Sequence, residues 1–211
     1  AGRTELLEVL FGLHPAAVSG EIQMGGRPVH ITSPAAAIAH GLALAPEDRK
    51  REGLMLEMSV AENTSLASLL QVTQFGWVCD RAERQHVQRF LERFRVKTPS
   101  LERRIRDLSG GNQQKVILVK WLATRPAVLL LDEPTRGIDV NAKREIYQLL
   151  DELTAEGLAV VLVSSELPEI LAMADRVVVL CEGRQTAELS RAEASSERLM
   201  QAALPPGKEA A

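Results

Sequence analysis

Leu108-Ser109-Gly110-Gly111-Asn112-Gln113-Gln114-Lys115 opens a stretch with apolar residues at helical spacing (Val116, Ile117, Val119, Trp121, Leu122). The run Val128-Leu129-Leu130-Leu131, ending in Asp132-Glu133, follows it. The first element reads as a loop-to-helix junction. Ser109 can cap the helix, and two glycines let backbone N–H groups approach a ligand, so the helix start suits phosphate. The second reads as a short buried strand, because consecutive β-favouring aliphatics with no polar alternation belong to a parallel sheet covered on both faces. Ligands of open parallel sheets gather at the carboxyl ends of strands. Asp132 and Glu133 therefore stand where a magnesium-bound nucleotide and an attacking water would meet. Taken singly, LSGG is an ordinary flexible cap and Asp-Glu a solvated strand end; the order and spacing of the two together give them chemical meaning.

On these residues the chain resembles the nucleotide-binding domain of ATP-binding cassette (ABC) transporters. LSGGNQQK is similar to the family's signature, Val128 to Glu133 to its Walker B strand, and Gly137-Ile138-Asp139 to its D-loop. The stretch Pro46-Glu47-Asp48-Arg49-Lys50-Arg51-Glu52-Gly53-Leu54, with Asn112 to Lys115 and Asp132 to Val140, narrows the resemblance. It points to the C-terminal cassette of the fused two-cassette ATPases of bacterial monosaccharide importers, of the ribose, galactose and xylose type. The likeness runs from Gly2 to about Ala203.

The resemblance implies an α/β fold of the P-loop NTPase class: an ABC-type cassette with a mostly parallel core sheet, a small antiparallel β part and an inserted helical subdomain. The expected divisions are a partial core at 1–58, the helical subdomain at 59–106, the signature helix with the Walker B core at 107–203, and a disordered tail at 204–211. ATP and Mg²⁺ are the implied cofactors. Thr4 and Asp132 would hold the metal, with Asp132 acting through water, and Glu133 would orient or deprotonate the attacking water. Gly2, Arg3, Thr4, Glu47, Ser109, Gly110, Gly111, Gln113 and Asp139 would line the nucleotide. Two cassettes of this family sandwich two nucleotides head to tail, so Ser109, Gly110 and Gly111 would face a nucleotide held by the partner. Implied partners are the N-terminal cassette, membrane permease subunits and, indirectly, a periplasmic sugar-binding protein. The implied location is peripheral, on the cytoplasmic face of the bacterial inner membrane.

Three positions depart from the family pattern. Ala1-Gly2-Arg3-Thr4 is similar to the last part of a P-loop, with the preceding strand and first glycine absent, so the chain reads as truncated inside that loop. Arg3 stands where a P-loop carries lysine, and arginine is a bulkier, planar cation; Arg3 and Thr4 read equally as an N-terminal helix cap region. Glu47 stands where the Q-loop has glutamine, although Asp48 to Glu52 around it also read as a charged surface loop. Ser165 stands where active cassettes carry a histidine against the γ-phosphate, and a hydroxyl cannot hold positive charge. All three departures fall on the domain's own phosphate face, which implies a division of labour in which the intact signature serves the partner's site. The isolated chain is expected to bind ATP weakly and hydrolyse it negligibly.

Composition limits the alternatives. The chain has 211 residues, 45% hydrophobic and 25% charged, enough for one sizeable core. A net charge of −3 and pI near 5.9 offer no basic field for nucleic acid. Cys79 and Cys181 lack metal-ligand spacing and read as reduced. No apolar run approaches the roughly 18 to 20 residues of a membrane helix, and no stretch of the sequence reads as a signal peptide. His14, His30, His40 and His86 read as surface or helix residues. The competing functions are a non-catalytic, degenerate cassette kept as an interaction module and a soluble ABC-type ATPase acting on DNA or the ribosome.

Along the chain, Glu5 to Phe11 reads as a helix, and Glu21 to Met24 with Val29 to Ile31 as a hairpin around Gly25-Gly26. A helix starts at Ser33-Pro34 and ends at Gly41, and Leu42 to Ala45 is a core strand. Ser59-Val60-Ala61-Glu62 is a capping box. From there to about Arg106 the pattern is helical, without strand signals, broken near Gln74 to Gly76 and at Pro99-Ser100; Phe90, Leu91 and Phe94 read as packing. After Walker B, helix (Asn141 to Leu153), strand (Leu158 to Val163), helix (Pro168 to Met173) and strand (Val177 to Leu180) alternate in a doubly wound pattern. A hairpin centred on Glu182-Gly183-Arg184 and a small helix follow. The surface between Glu47 and Ser59 is the expected permease-docking region.

Overall fold

The computed structural model describes residues 2–14 and 19–205. Its centre is a three-stranded parallel sheet in the order β3 (Leu42–Ala45), β6 (Val128–Asp132), β7 (Ala159–Val163). Leu42 lies beside Val128, and Val128 beside Ala159. Because side chains alternate across a pleated strand, this register sorts the core into two layers. Ala43, Ala45, Leu129 and Leu131 pack with Val116, Ile117, Ile146 and Leu150, from α5 (Gly110–Leu122) and α6 (Val140–Ala155). Leu42, Leu44 and Leu130 pack on the other face against Leu7 and Phe11, at α1 (Arg3–Leu10), and Ala37, from α2 (Pro34–Ala39). Leu129, Leu130 and Leu131 are essentially inaccessible, and each contributes about 1.5–3 kcal/mol of transfer free energy. The alternation also aims the site: Asp132 lies two residues beyond Leu130, hence on the α1 face.

α5 is buried on nearly all sides, its lysines and glutamines included, as a helix enclosed by a sheet on one side and helices on the other must be. Ser33 caps α2 as expected, its Oγ accepting from the Ala36 N–H, with Pro34 in the first turn. The capping box at Ser59 forms with both reciprocal bonds and starts α3 (Val60–Ser65). After α3 come a 3₁₀ segment, Leu66–Gln71, and then α4 (Asp80–Arg93), whose Val87 and Leu91 turn inward. Entry to and exit from this block are stitched together: Val60 N–H donates to Arg103 C=O at 2.9 Å and Ile105 N–H to Met58 C=O at 3.1 Å. The Phe90 and Phe94 rings stack with centroids 6.1 Å apart.

Two expectations need correction. The helical block contains a hairpin, β4 (Thr73–Gln74) with β5 (Trp77–Val78). Its two-residue turn puts Phe75 and Gly76 at φ 50° and 84°, the doubly left-handed geometry that suits a hairpin's twist. Phenylalanine is not a residue that announces such a turn. Second, the strand at 177–180 does not extend the parallel sheet. β8 (Arg176–Cys181) pairs antiparallel with β9 (Arg184–Ser190), and α8 (Ser196–Ala203) closes a separate small cluster of Val177, Leu189 and Leu199. α7 (Leu167–Met173) connects the two parts. The first hairpin is β1 (Ile22–Met24) with β2 (Arg27–Val29), turning at Gly25-Gly26. Of the expected tail, residues 206–211 lie outside the described residues. Among the described residues, no helix is long and apolar enough to cross a membrane.

Candidate nucleotide site

At the carboxyl end of β6 the structure brings Thr4, Arg3, Asp132, Glu133 and Ser165 together. Asp132 is 2% exposed, and its Oδ1 is buried without a hydrogen-bond partner. Burial pushes its carboxyl above the ordinary carboxylate range, as does the Glu133 carboxylate beside it. The neighbouring Thr4 hydroxyl and the Arg3 charge act the other way. A buried carboxylate oxygen lacking a partner, next to a hydroxyl, is a hard oxygen pair of the type that holds Mg²⁺, so these two residues fit the metal expected of them.

Glu133 adopts φ 46°, a left-handed backbone that non-glycine residues rarely take. It is held there by its own N–H, which donates to Val163 C=O at 2.9 Å and adds a rung to the β6–β7 ladder. Strain of this kind clusters at functional sites. The Glu133 side chain is engaged at both oxygens. Ser165 Oγ donates to Oε2 at 3.1 Å, and Arg3 Nη2 lies 4.0 Å from Oε1. Arg3 Nη1 also donates to Ser164 C=O at 2.8 Å. Two of the three departures from the family pattern thus converge on the Glu133 carboxylate. Gly2, at φ 83°, precedes α1 without a side-chain cap, leaving the first N–H groups of that helix without a capping partner.

Glu47 corrects its expectation. Its carboxylate does not join Asp132 and Glu133 but pairs with Arg136 in the turn after Walker B. Gln113, expected at the nucleotide, is 4% exposed, and its amide donates inward to the carbonyls of Ile105 and Leu108 at 3.1 and 3.3 Å. It fixes the loop that delivers Ser109 instead of facing a ligand.

The signature turn is built for close approach. Ser109 Oγ accepts from Asn112 N–H at 3.4 Å and Nδ2 at 3.0 Å, capping α5. Asp139 caps α6, its Oδ1 accepting from Ala142 N–H at 3.0 Å. A β-carbon at Gly111 would come within 2.5 Å of the Ala142 Cβ, so the glycine lets α6 press against the start of α5.

Residues that periodicity does not single out complete the arrangement. Arg49 reaches from the turn after β3 to the D-loop, Nη1 donating to Arg136 C=O at 2.9 Å and Nη2 to Gly137 C=O at 3.2 Å. Thr135 Oγ donates to the buried Glu169 at 2.9 Å, bracing the turn after Glu133. Lys120, 7% exposed, donates from Nζ to Gly53 C=O at 2.6 Å, and burial lowers its pKa to about 8. A composition-based reading treats such residues as surface charge; the only hint is that the lysine lies on the inner, apolar side of a helix pattern.

A fold of this kind, with a serine-capped signature helix and a buried strand ending in a partnerless aspartate and a strained glutamate, defines an ATP-binding cassette. Residues 1–136 match the ABC transporter family, and the chain belongs to it. It is 64% identical over 205 residues to the ribose import ATP-binding protein of Rhodopirellula baltica, covering 97% of this chain and 40% of that protein. It is 50% identical over 200 residues to the xylose import ATP-binding protein of Moorella thermoacetica, covering 95% and 40%. The chain therefore spans 40% of the length of these relatives. A crystal structure of a nucleotide-free ATP-binding cassette from an ABC transporter superposes with a TM-score of 0.76 at 21% identity, over 97% of this chain and 81% of that one.

Proposed function

We propose that the chain is one ATP-binding cassette of a monosaccharide importer, acting with a second cassette and with membrane permease subunits on the cytoplasmic face of a bacterial inner membrane. The observation that carries the sugar reading is the 64% identity, across nearly the whole chain, to a ribose import ATP-binding protein. The N-terminal turn of α5 presents Ser109, Gly110 and Gly111 to a nucleotide on the facing cassette, with hydroxyl and N–H donors directed at phosphate. Turnover at the partner's site draws on this turn.

At the chain's own site, Thr4 and Asp132 would hold Mg²⁺, which when bound neutralises phosphate charge. Gly2, Arg3 and the first N–H groups of α1 lie beside the phosphate position. Glu133 accepts the proton of, or orients, the attacking water. Here Ser165 and Arg3 occupy the Glu133 carboxylate before substrate arrives, and Arg3 is tied to Ser164; this supports slow turnover at the site and a division of labour with the partner. The test is ATP hydrolysis in proteoliposomes carrying the permease: stimulation by a pentose-loaded periplasmic binding protein supports the assignment, and hydrolysis indifferent to permease and sugar rejects it.

A further inference from the structure

The charged turn between β3 and α3 lies in the surface expected to dock a permease, but its first arginine turns away from that surface toward the signature. The turn, Arg49–Gly53, is a single wide helical loop capped by Asp48, which accepts from the N–H groups of Lys50 and Arg51 at 3.0 and 3.1 Å. Its far end is tied to the signature helix by the Lys120 bond to Gly53. Arg49 leaves this anchored frame and lies against the signature itself: a β-carbon on Gly110 would stand 3.1 Å from Arg49 Nη2 and 3.6 Å from Cζ. The guanidinium thus packs on the bare Cα of the residue expected at phosphate.

What Arg49 meets there are dipoles. Its bonds go to the carbonyls of Arg136 and Gly137, and its Nε–H is buried with no partner at all. Among the described residues no carboxylate lies within ion-pair distance of Arg49: Glu47 pairs with Arg136, and Asp139 Oδ1 caps α6. A guanidinium carries five N–H donors and a permanent charge. The buried Nε is out of a ligand's reach, but the Nη groups lie at the surface, where an anion can supply the counter-charge that the carbonyl dipoles do not. On the composite-site reading, the anion due at this spot is the terminal phosphate of the partner's nucleotide.

We propose that Arg49 is a phosphate-binding residue acting in trans, supplying beside Ser109 and Gly110 a positive charge to the triphosphate held by the facing cassette. The proposal rests on the reading of Ser109 to Gly111 as the partner-facing signature. The D-loop carbonyls hold the guanidinium in position, and the Gly53–Lys120 link makes it move with α5. A bound triphosphate would then sense the signature helix, the D-loop and the turn after β3 together.

The experiment uses the assembled two-cassette ATPase, with Arg49→Gln and Arg49→Lys, and reads the half-saturating ATP concentration together with the unfolding temperature with and without a non-hydrolysable ATP analogue. Losing a charge-assisted bond should raise half-saturating ATP about ten- to a hundred-fold in Arg49→Gln and shrink the analogue-induced rise in unfolding temperature. Arg49→Lys, which keeps the charge but cannot span both carbonyls, should recover most of the affinity. If both variants instead lower the nucleotide-free unfolding temperature while ATP affinity and the analogue-induced rise match the parent, Arg49 is only a strut and the proposal is overturned. Ser109→Arg in the same preparation separates the two readings. If it leaves ATP use intact, the composite-site reading itself fails; if it abolishes turnover while Arg49→Gln binds ATP normally, the Arg49 assignment alone is wrong.

Discussion

α1 and α5 both follow a small N-cap residue, Gly2 and Ser109, and both helix starts are proposed to meet phosphate, yet the charges around them are arranged in opposite ways. At α1, Arg3 and Ser165 already hold Glu133, and Arg3 also grips Ser164. An arriving nucleotide must displace those contacts. At α5, the Ser109 hydroxyl bonds to Asn112 in its own first turn, and Arg49, packed on Gly110, meets carbonyls and, among the described residues, no carboxylate. An arriving anion there displaces no ion pair. Since catalysis draws on electrostatics organised before substrate binds, the α5 end is the better prepared of the two, and on the proposed function the nucleotide it serves belongs to another cassette.

The largest effect should come from filling the prepared end. Ser109→Arg puts a bulky side chain where helix N–H groups must reach the partner's phosphate, and ATP turnover of the assembled ATPase should fall by at least about a hundred-fold, the scale of losing one oxyanion donor. Steady-state hydrolysis measures it, and near-normal turnover would reverse the ranking of the two ends.

Next is a packing test of why the signature is glycine-rich. Gly111→Ala adds a methyl 2.5 Å from the Ala142 Cβ. Overpacking typically costs about 1–3 kcal/mol, more than the roughly 0.5–1 kcal/mol that alanine returns as helix propensity. Urea unfolding of the chain should show a net loss, and Ala142→Gly should restore it in the double variant. A non-additive rescue ties Gly111 to the approach of α6; its absence leaves the glycine to phosphate alone.

The carboxylates and the signature were legible in the sequence because their geometry follows from local rules: strand alternation puts Asp132 on the α1 face, and a serine before an apolar helix caps it. The turn after β3 was not. Arg49 and Glu47 gain their meaning from Arg136 and Gly137, which lie far along the chain, and a charged run carries no periodicity to foretell that. Gln113 was misplaced for a related reason. Its position in the motif says "near the ligand", whereas the helical turn points its amide back to Ile105 and Leu108. The hairpin at Thr73 to Val78 was missed because Phe75 occupies a left-handed position that asparagine or glycine would have advertised.

Lys120 offers a smaller test, of the anchoring that keeps Arg49 with α5. The folded protein holds its proton less tightly than the unfolded chain, with a pKa of about 8 against 10.5. Between those values the unfolded state binds more protons, so stability rises with pH across that window by up to about 1 kcal/mol per pH unit. Lys120→Met removes the titrating group and should flatten that part of the profile. Urea midpoints at pH 8, 9 and 10 compare the two proteins, and parallel profiles would mean that the lysine keeps its ordinary proton affinity despite burial.

The smallest effect should be the most diagnostic. Glu133→Gln keeps the shape of the side chain and still accepts the Ser165 hydroxyl, but it cannot take a proton from water. Removing a general base costs about 10²–10⁴ at the site concerned, so the consequence for the whole ATPase depends on how much flux that site carries. With Glu133 pre-engaged by Ser165 and Arg3, the chain's own site should carry little, and total turnover should stay within about two-fold of the parent. Single-turnover hydrolysis resolves the two sites: the slow phase should disappear in Glu133→Gln while the fast phase persists. If the variant instead silences both phases, the two ends of the molecule are coupled stroke for stroke, and pre-engagement of Glu133 is a resting arrangement that nucleotide binding undoes.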